Sequence, residues 1–138
     1  MTYNAIYRYA RISPRKLRLM ADLVRGEHAD RALEILKMYP NRGARMVELT
    51  IQSAIGNAKA KNERNIDDLL ITELCVDGGP MYKRFRPKAR GSATTVKSHS
   101  SHIRVTLRPE AEVEAELAAK TSAKSAGASE AAVEAVAE

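Results

Sequence analysis

From Tyr3 to Ala10, side chains alternate between two sets, Tyr3, Ala5, Tyr7 and Tyr9 against Asn4, Ile6, Arg8 and Ala10. A period of two predicts a first strand ending near Arg11, with its tyrosines packing the core and their hydroxyls at the surface; base stacking is the alternative use for those rings. The period then changes. Ser13 suits a helix N-cap and Pro14 the first helical position, Leu17, Met20, Ala21 and Val24 recur on one helical face, and Gly26 supplies the stop. Ala29, Ala32, Leu33 and Leu36 mark a second helix that ends at Tyr39 and Pro40. After Asn41 as a cap, Ala44, Val47, Ile51, Ala54, Ile55 and Ala58 predict a longer third helix, fraying into the polar run 59–65. Gly56 costs that helix about 1 kcal/mol relative to alanine, a cost that close packing on a sheet would explain.

Alternation returns at Leu70, Thr72, Leu74 and Val76 against Ile71, Glu73 and Cys75, and again at Ile103, Val105 and Leu107 against His102, Arg104 and Thr106. Asp67 and Asp68 are expected to cap the turn into the first of these strands. Between the two strands lies an arm, about 77–108, with no acidic residue from Gly78 to Pro109. It carries Lys83, Arg84, Arg86, Lys88, Arg90, Lys97, Arg104 and Arg108, and its part between the two strands holds only Met81, Tyr82, Phe85 and Val96 as sizeable apolar side chains. So few apolar groups bury no core of their own. Phosphates would neutralise the charges of such an arm, and bases could stack on Tyr82, Phe85 and the arginine planes. A disordered basic loop is the plain alternative; the strand-like flanks favour a hairpin that probes nucleic acid.

Charge sharpens this picture. Residues 1–110 hold 21 Lys and Arg against 11 Asp and Glu, while the remaining residues hold 2 against 6, so the net +6 of the 138-residue chain averages two unlike parts. The basic part is the electrostatic footprint of a nucleic-acid binder. Arg11, Arg15, Lys16 and Arg18 crowd the start of the first helix, where positive charge is disfavoured by the helix dipole unless an anion binds. Arg42, Arg45, Lys59 and Lys61 lie near the ends of the third helix. From residue 111 to 138 the composition is rich in Ala and Glu, and a disordered tail with nascent helix is expected there. No apolar run approaches the roughly 20 residues of a membrane span, and the N-terminus reads as strand rather than as a signal or transit peptide. The single Cys75 fits a reducing cytoplasm and is expected to be a buried structural thiol.

Catalytic chemistry finds no constellation. Asp67, Asp68, Glu73 and Asp77 have no histidine near in sequence, His99 and His102 lack further ligands for a metal, and the glycines lack the spacing of a phosphate-binding loop. No cofactor, metal or small-molecule substrate is expected. The two histidines join the arm cations and the four helix-one cations as candidate nucleic-acid contacts.

Five segments occur in one order: ARISPRKLRLMADLVRG (Ala10 to Gly26), RALEIL (Arg31 to Leu36), SAIGNA (Ser53 to Ala58), VDGGP (Val76 to Pro80) and SHI (Ser101 to Ile103). Together they resemble large-ribosomal-subunit protein family twenty-two, bacterial type, over about residues 3–108. The resemblance implies an α+β domain, three helices packed on a small three-stranded antiparallel sheet with a long extended β-hairpin. It implies a structural constituent of the large subunit that binds 23S ribosomal RNA, assists assembly beside neighbouring ribosomal proteins, and lets its hairpin line the nascent-peptide tunnel. By position, Met81, Tyr82, Lys83 and Arg84 would lie by the tunnel constriction. Lys88, Ala89, Arg90, Gly91, Ser92 and Ala93 would form the tip, and Arg84, Arg86, Lys88 and Arg90 would meet phosphates. The returning strand departs from the family pattern, having Ser92, Thr94, Thr95, Ser98 and Ser100 where basic residues are common, with Lys97 its main cation. An arm of roughly ten to twelve residues would reach about 35 to 40 Å beyond the sheet. A free-standing regulatory nucleic-acid binder and an enzyme acting on RNA are the competing readings; the first would need a sequence-reading helix, which the pattern does not show.

Overall fold

The computed structural model describes residues 2–61, 66 and 68–115. In chain order the elements are β1 (Tyr3–Ala10), α1 (Pro14–Asp22), α2 (Ala29–Met38), α3 (Arg42–Ala60), β2 (Leu69–Pro87) and β3 (Ala93–Pro109). The sheet runs β1-β3-β2 with both pairs antiparallel, so the α+β architecture that the family resemblance implies is the one observed. β3 is central because β1 and β2 are separated by three helices, whereas β2 and β3 are joined by a tight turn.

The helices form where their apolar stripes predict and cover one face of the sheet. Leu17 and Ala21 of α1, Ala29, Ala32 and Leu36 of α2, and Val47, Ile51, Ala54 and Ala58 of α3 are buried against Tyr3, Ala5, Ile103, Val105 and Leu107. Ser13 and Asn41 occupy the N-cap positions of α1 and α3 without making a side-chain cap bond. Gly26, at φ +82, ends the α1 turn, and its N–H donates to the Ile71 carbonyl at 3.1 Å while Glu27 accepts from Ile71 at 3.0 Å. This short exchange shields the start of β2. Farther along, Arg25 donates to the Leu74 carbonyl at 2.9 Å and Arg18 to the Val76 carbonyl at 3.2 Å. Arg18 of α1 and Arg25 of the turn that follows it thus satisfy edge carbonyls of β2 that no strand pairs.

Four expectations need correction. The face of β2 that packs inward is Leu69 and Ile71, then Leu74 and Val76, because the register shifts between Ile71 and Glu73. One extra residue swaps the two faces, so the alternation that starts at Leu70 has the wrong parity before the shift. Cys75 is exposed rather than buried, since the sheet face away from the helices is open. Of the strand-one tyrosines only Tyr3 is buried; Tyr7, in regular register opposite Ile103, is left exposed, and the register shift between Tyr7 and Ala10 turns Tyr9 outward and Ala10 inward. Gly56 is exposed, and a Cβ there would meet nothing within 4 Å, so no close packing explains it. Gly43 is the helix-three glycine that lies buried, against Ile12, Leu17 and Met20.

Two helical stretches go beyond the three predicted: a 3-10 turn at Ala89–Gly91 and a helical run over residues 110–115. The latter starts where Glu110 donates to the Asp68 carbonyl at 3.0 Å, in an Ala/Glu composition of high helix propensity. The expected cap at Asp67, the polar run 62–65 and the rest of the tail lie outside the described residues.

Candidate nucleic-acid interface

The arm is a continuous antiparallel ladder. Pairing starts at Leu69 opposite Pro109, passes the core, and continues from Met81 opposite His99 to Pro87 opposite Ala93. Nothing packs on its outer half: every residue from Pro80 to His99 is exposed. Backbone bonds therefore hold this segment, not a core. From Gly78 to Pro87 the strand projects about 33 Å at about 3.3 Å per residue. The chain reverses through Lys88 to Ser92, with Arg90 at φ 57 and Gly91 at φ +69. Lys88 donates from its backbone to the Ser92 carbonyl at 2.7 Å, and the Ser92 hydroxyl to the Ala89 carbonyl at 2.9 Å. Glycine accepts the left-handed conformation without cost, and Arg90 adopts it in a turn closed by these bonds.

Side chains opposite one another share a face of the arm. One face carries Lys83 opposite Lys97, Phe85 opposite Thr95 and Met81 opposite His99; the other carries Tyr82 opposite Ser98, Arg84 opposite Val96 and Arg86 opposite Thr94. Both faces thus combine an aromatic ring with cations, and Phe85 is 75% exposed. An exposed ring framed by cations offers a base-stacking platform beside phosphate partners. The hydroxyl-rich returning strand has a structural consequence. Each arginine of the outgoing strand faces a neutral residue, and only Lys83 and Lys97 form a like-charge pair across the ladder, an arrangement that is unfavourable until an anion arrives.

At its root the arm meets the helices. A cleft of about 610 Å³ is lined by Arg11 and Lys16 of the α1 entry, Arg42 of α3, and Ser98 and His99 of β3. A smaller one, about 290 Å³, joins Arg11 to Tyr82, Arg84, Ser98 and His99. Neither α1 nor α3 has an acidic residue in its first turn. Two positive helix ends and three cations therefore open toward one cleft, where the field favours an anion.

The sequence-derived candidates divide accordingly. Arg11, Lys16, Arg84 and His99 are brought together, and Arg42, one of the cations near the ends of the third helix, joins them because that helix starts beside Ile12. Arg15 is exposed on α1. Arg18 is committed in part to the Val76 carbonyl. His102 is half-buried and accepts the Tyr9 N–H at Nδ1, 3.1 Å, so its visible partner is the protein itself. Met81 and Tyr82 sit near the arm root, about 20 Å of strand from Lys88 and the tip. Lys83, Arg86, Lys88, Arg90 and Lys97 are free-standing on the arm surface. Among the described residues no cluster of three His, Cys, Asp or Glu could hold a metal, and no helix is long and apolar enough to cross a membrane.

Comparison with known proteins places this geometry. The family described as Ribosomal protein L22p/L17e matches residues 5–108. The large ribosomal subunit protein uL22 of Rhodopirellula baltica is 54% identical over 110 residues, covering 76% of this chain and 92% of that protein. Its counterpart in Caldicellulosiruptor saccharolyticus is 49% identical over 105 residues, 76% of this chain and 86% of the relative. That of Chloroflexus aggregans is 43% identical over 112 residues, 81% and 99% respectively. The match spans the helical body and the whole arm, and the chain therefore belongs to the ribosomal protein L22p/L17e family, structural and non-enzymatic components of the large ribosomal subunit.

Proposed function

We propose that this protein binds large-subunit (23S) ribosomal RNA through its arm and the cleft at the arm's root, assists assembly of the subunit, and presents its tip to the wall of the peptide exit tunnel. Residues 1–110 form the RNA-binding unit, and 111–138 a tail appended to it. The observation that carries the reading is the arm itself: an exposed, acid-free ladder with cations and an aromatic ring on each face, one that buries nothing of its own. Such an element gains its contacts only when RNA is packed on both sides. Counterion release from the neutralised phosphates supplies affinity, and stacking on Tyr82 and Phe85 fixes bases. The tip, Lys88 to Ala93, stands farthest from the body and would reach the nascent polypeptide, while the body meets neighbouring large-subunit proteins. The working location is the cytoplasmic ribosome.

The test is crosslinking of the protein to RNA in cells with sequencing of the sites, for the full chain and for one lacking Lys88 to Thr94. Crosslinks concentrated on 23S ribosomal RNA, with the tunnel-wall subset lost on deletion, are expected. Crosslinks scattered over messenger RNA would overturn the assignment, and a tunnel-wall subset that survives the deletion would overturn the placement of the tip.

A further inference from the structure

Where the arm leaves the sheet, both strands that flank the central one carry an extra residue, the β1 bulge opposite His102 and the β2 bulge two residues away opposite Ser100. On β1 the register passes from Tyr7 opposite Ile103 to Ala10 opposite Ser101; on β2 it passes from Gly78 opposite Ser101 to Met81 opposite His99. The two irregularities flank Ser100 and His102 from opposite sides. A bulge bends its strand and increases the local twist, so two bulges this close on either side of β3 set the direction in which the strands continue.

His102 touches both bulges. Tyr9 has φ 58, a conformation non-glycine residues rarely adopt. Its N–H donates to Nδ1 of His102 at 3.1 Å, and the two rings meet edge to face with centroids 4.9 Å apart at 77°. Accepting at Nδ1 leaves the ring proton on Nε2. On the other side, the Cβ position of Gly79 lies 3.2 Å from His102 Nε2 and 2.6 Å from the Ser100 hydroxyl, so only a glycine lets β2 approach this closely. The adjacent serines reinforce the junction: Ser100 donates to the Pro80 carbonyl at 2.6 Å, and Ser101 to the Ile12 carbonyl, at the entry to α1, at 3.0 Å.

We propose that His102 is a positioning residue that fixes the direction of the arm relative to the helical body, by holding the Tyr9 bulge through its Nδ1 and abutting the Gly79 bulge with the other edge of the ring. The geometry stands by itself; its purpose, presenting the arm to RNA in one orientation, rests on the function proposed above. Leverage makes such a lock useful. Met81 to Pro87 at about 3.3 Å per residue puts the tip about 23 Å from the pivot, so a wobble of about 20° would move it about 8 Å. An arm that is already aligned loses less freedom on binding.

The experiment measures arm orientation without RNA. In the full chain with Cys75→Ser, spin labels are attached at Glu34→Cys on α2 and Thr94→Cys near the tip, and the distance distribution is read by pulsed electron resonance, with circular dichroism as a check on the helices. Native His102 is expected to give a narrow distribution, and His102→Ala one broadened by about 8 Å with helical content retained. His102→Asn, whose side-chain oxygen is bonded to the same Cγ as Nδ1, should restore most of the narrowness. A His102→Ala distribution as narrow as the native one overturns the proposal, as does an asparagine variant as broad as the alanine variant. Collapse of the helices in His102→Ala also overturns it, because the residue would then be holding the body. Unlabelled His102→Ala is expected to bind 23S fragments about tenfold more weakly. Failure of the native chain to bind them would refute the RNA reading and leave the distance measurement standing.

Discussion

Replacing Gly79 and Gly56 by alanine, the same chemical change, should move stability in opposite directions. At Gly79 the new methyl would lie 2.6 Å from the Ser100 hydroxyl and 3.2 Å from both the Ser100 carbonyl carbon and His102 Nε2. The hydroxyl must rotate away, giving up its 2.6 Å bond to the Pro80 carbonyl in a residue only 1% exposed. An orphaned buried hydroxyl costs about 1–3 kcal/mol, and crowding the Ser100 backbone and the imidazole costs about 1 kcal/mol more. Restricting the unfolded chain returns about 0.5–1 kcal/mol. The net is a loss of about 2 kcal/mol. At Gly56 the added methyl meets nothing within 4 Å and φ is ordinary, so the helix-propensity gain of about 1 kcal/mol stands alone. Urea denaturation of the full chain, followed by far-ultraviolet circular dichroism, reads both. With a slope of about 1.5 kcal/mol per molar, the midpoint should fall by about 1.3 M for Gly79→Ala and rise by about 0.7 M for Gly56→Ala. A Gly79→Ala midpoint equal to the native one would refute the close approach of β2 to β3 at the arm root. A fall for Gly56→Ala would show that this glycine serves packing after all.

Three other outcomes are expected. Ile51→Ala, at a fully buried position of α3, should cost about 2–5 kcal/mol in the same denaturation assay through the cavity it leaves. Arg25→Ala should cost about 1 kcal/mol, chiefly from the unpaired Leu74 carbonyl at the sheet edge, since its 2.9 Å pair with Asp22 is half-exposed and contributes little. Lys83→Met should act with opposite signs on the free and bound protein. Relieving the Lys83–Lys97 opposition stabilises the free arm by a few tenths of a kcal/mol, measured as slower amide exchange at Arg84, while the slope of log affinity for 23S RNA against log salt should become shallower by about 0.7–0.9.

Local pattern was enough for the helices, the order of strands and the arm. An apolar stripe at helical spacing, a serine and proline at the start of α1 and a glycine after it are signals carried by neighbours in sequence, and the fold obeys them. The acid-free run from Gly78 to Pro109 marked the candidate interface for the same reason: charge and the lack of a core are compositional. Faces of strands were less legible. An alternation says which residues share a face only while the register is regular, and the shifts at Ile71/Glu73, Tyr7/Ala10 and Gly78/Met81 arise from pairing with β3, which no window of β1 or β2 contains. Those shifts expose Tyr9, bring it to His102, and exchange the inward set of β2. The open outer face of a single-layered sheet exposes Cys75, a fact that depends on where three helices pack and not on the apolar neighbours of the thiol. Tertiary structure alone also sorted the cations. Arg18 and Arg25 are turned to the edge of β2 because α1 lies against it, while Arg11, Lys16 and Arg42 open onto the arm because two helices begin at its root. Sequence spacing determined how many charges this protein carries and on which elements; only the packing of those elements decided which charges the protein uses itself and which it leaves exposed.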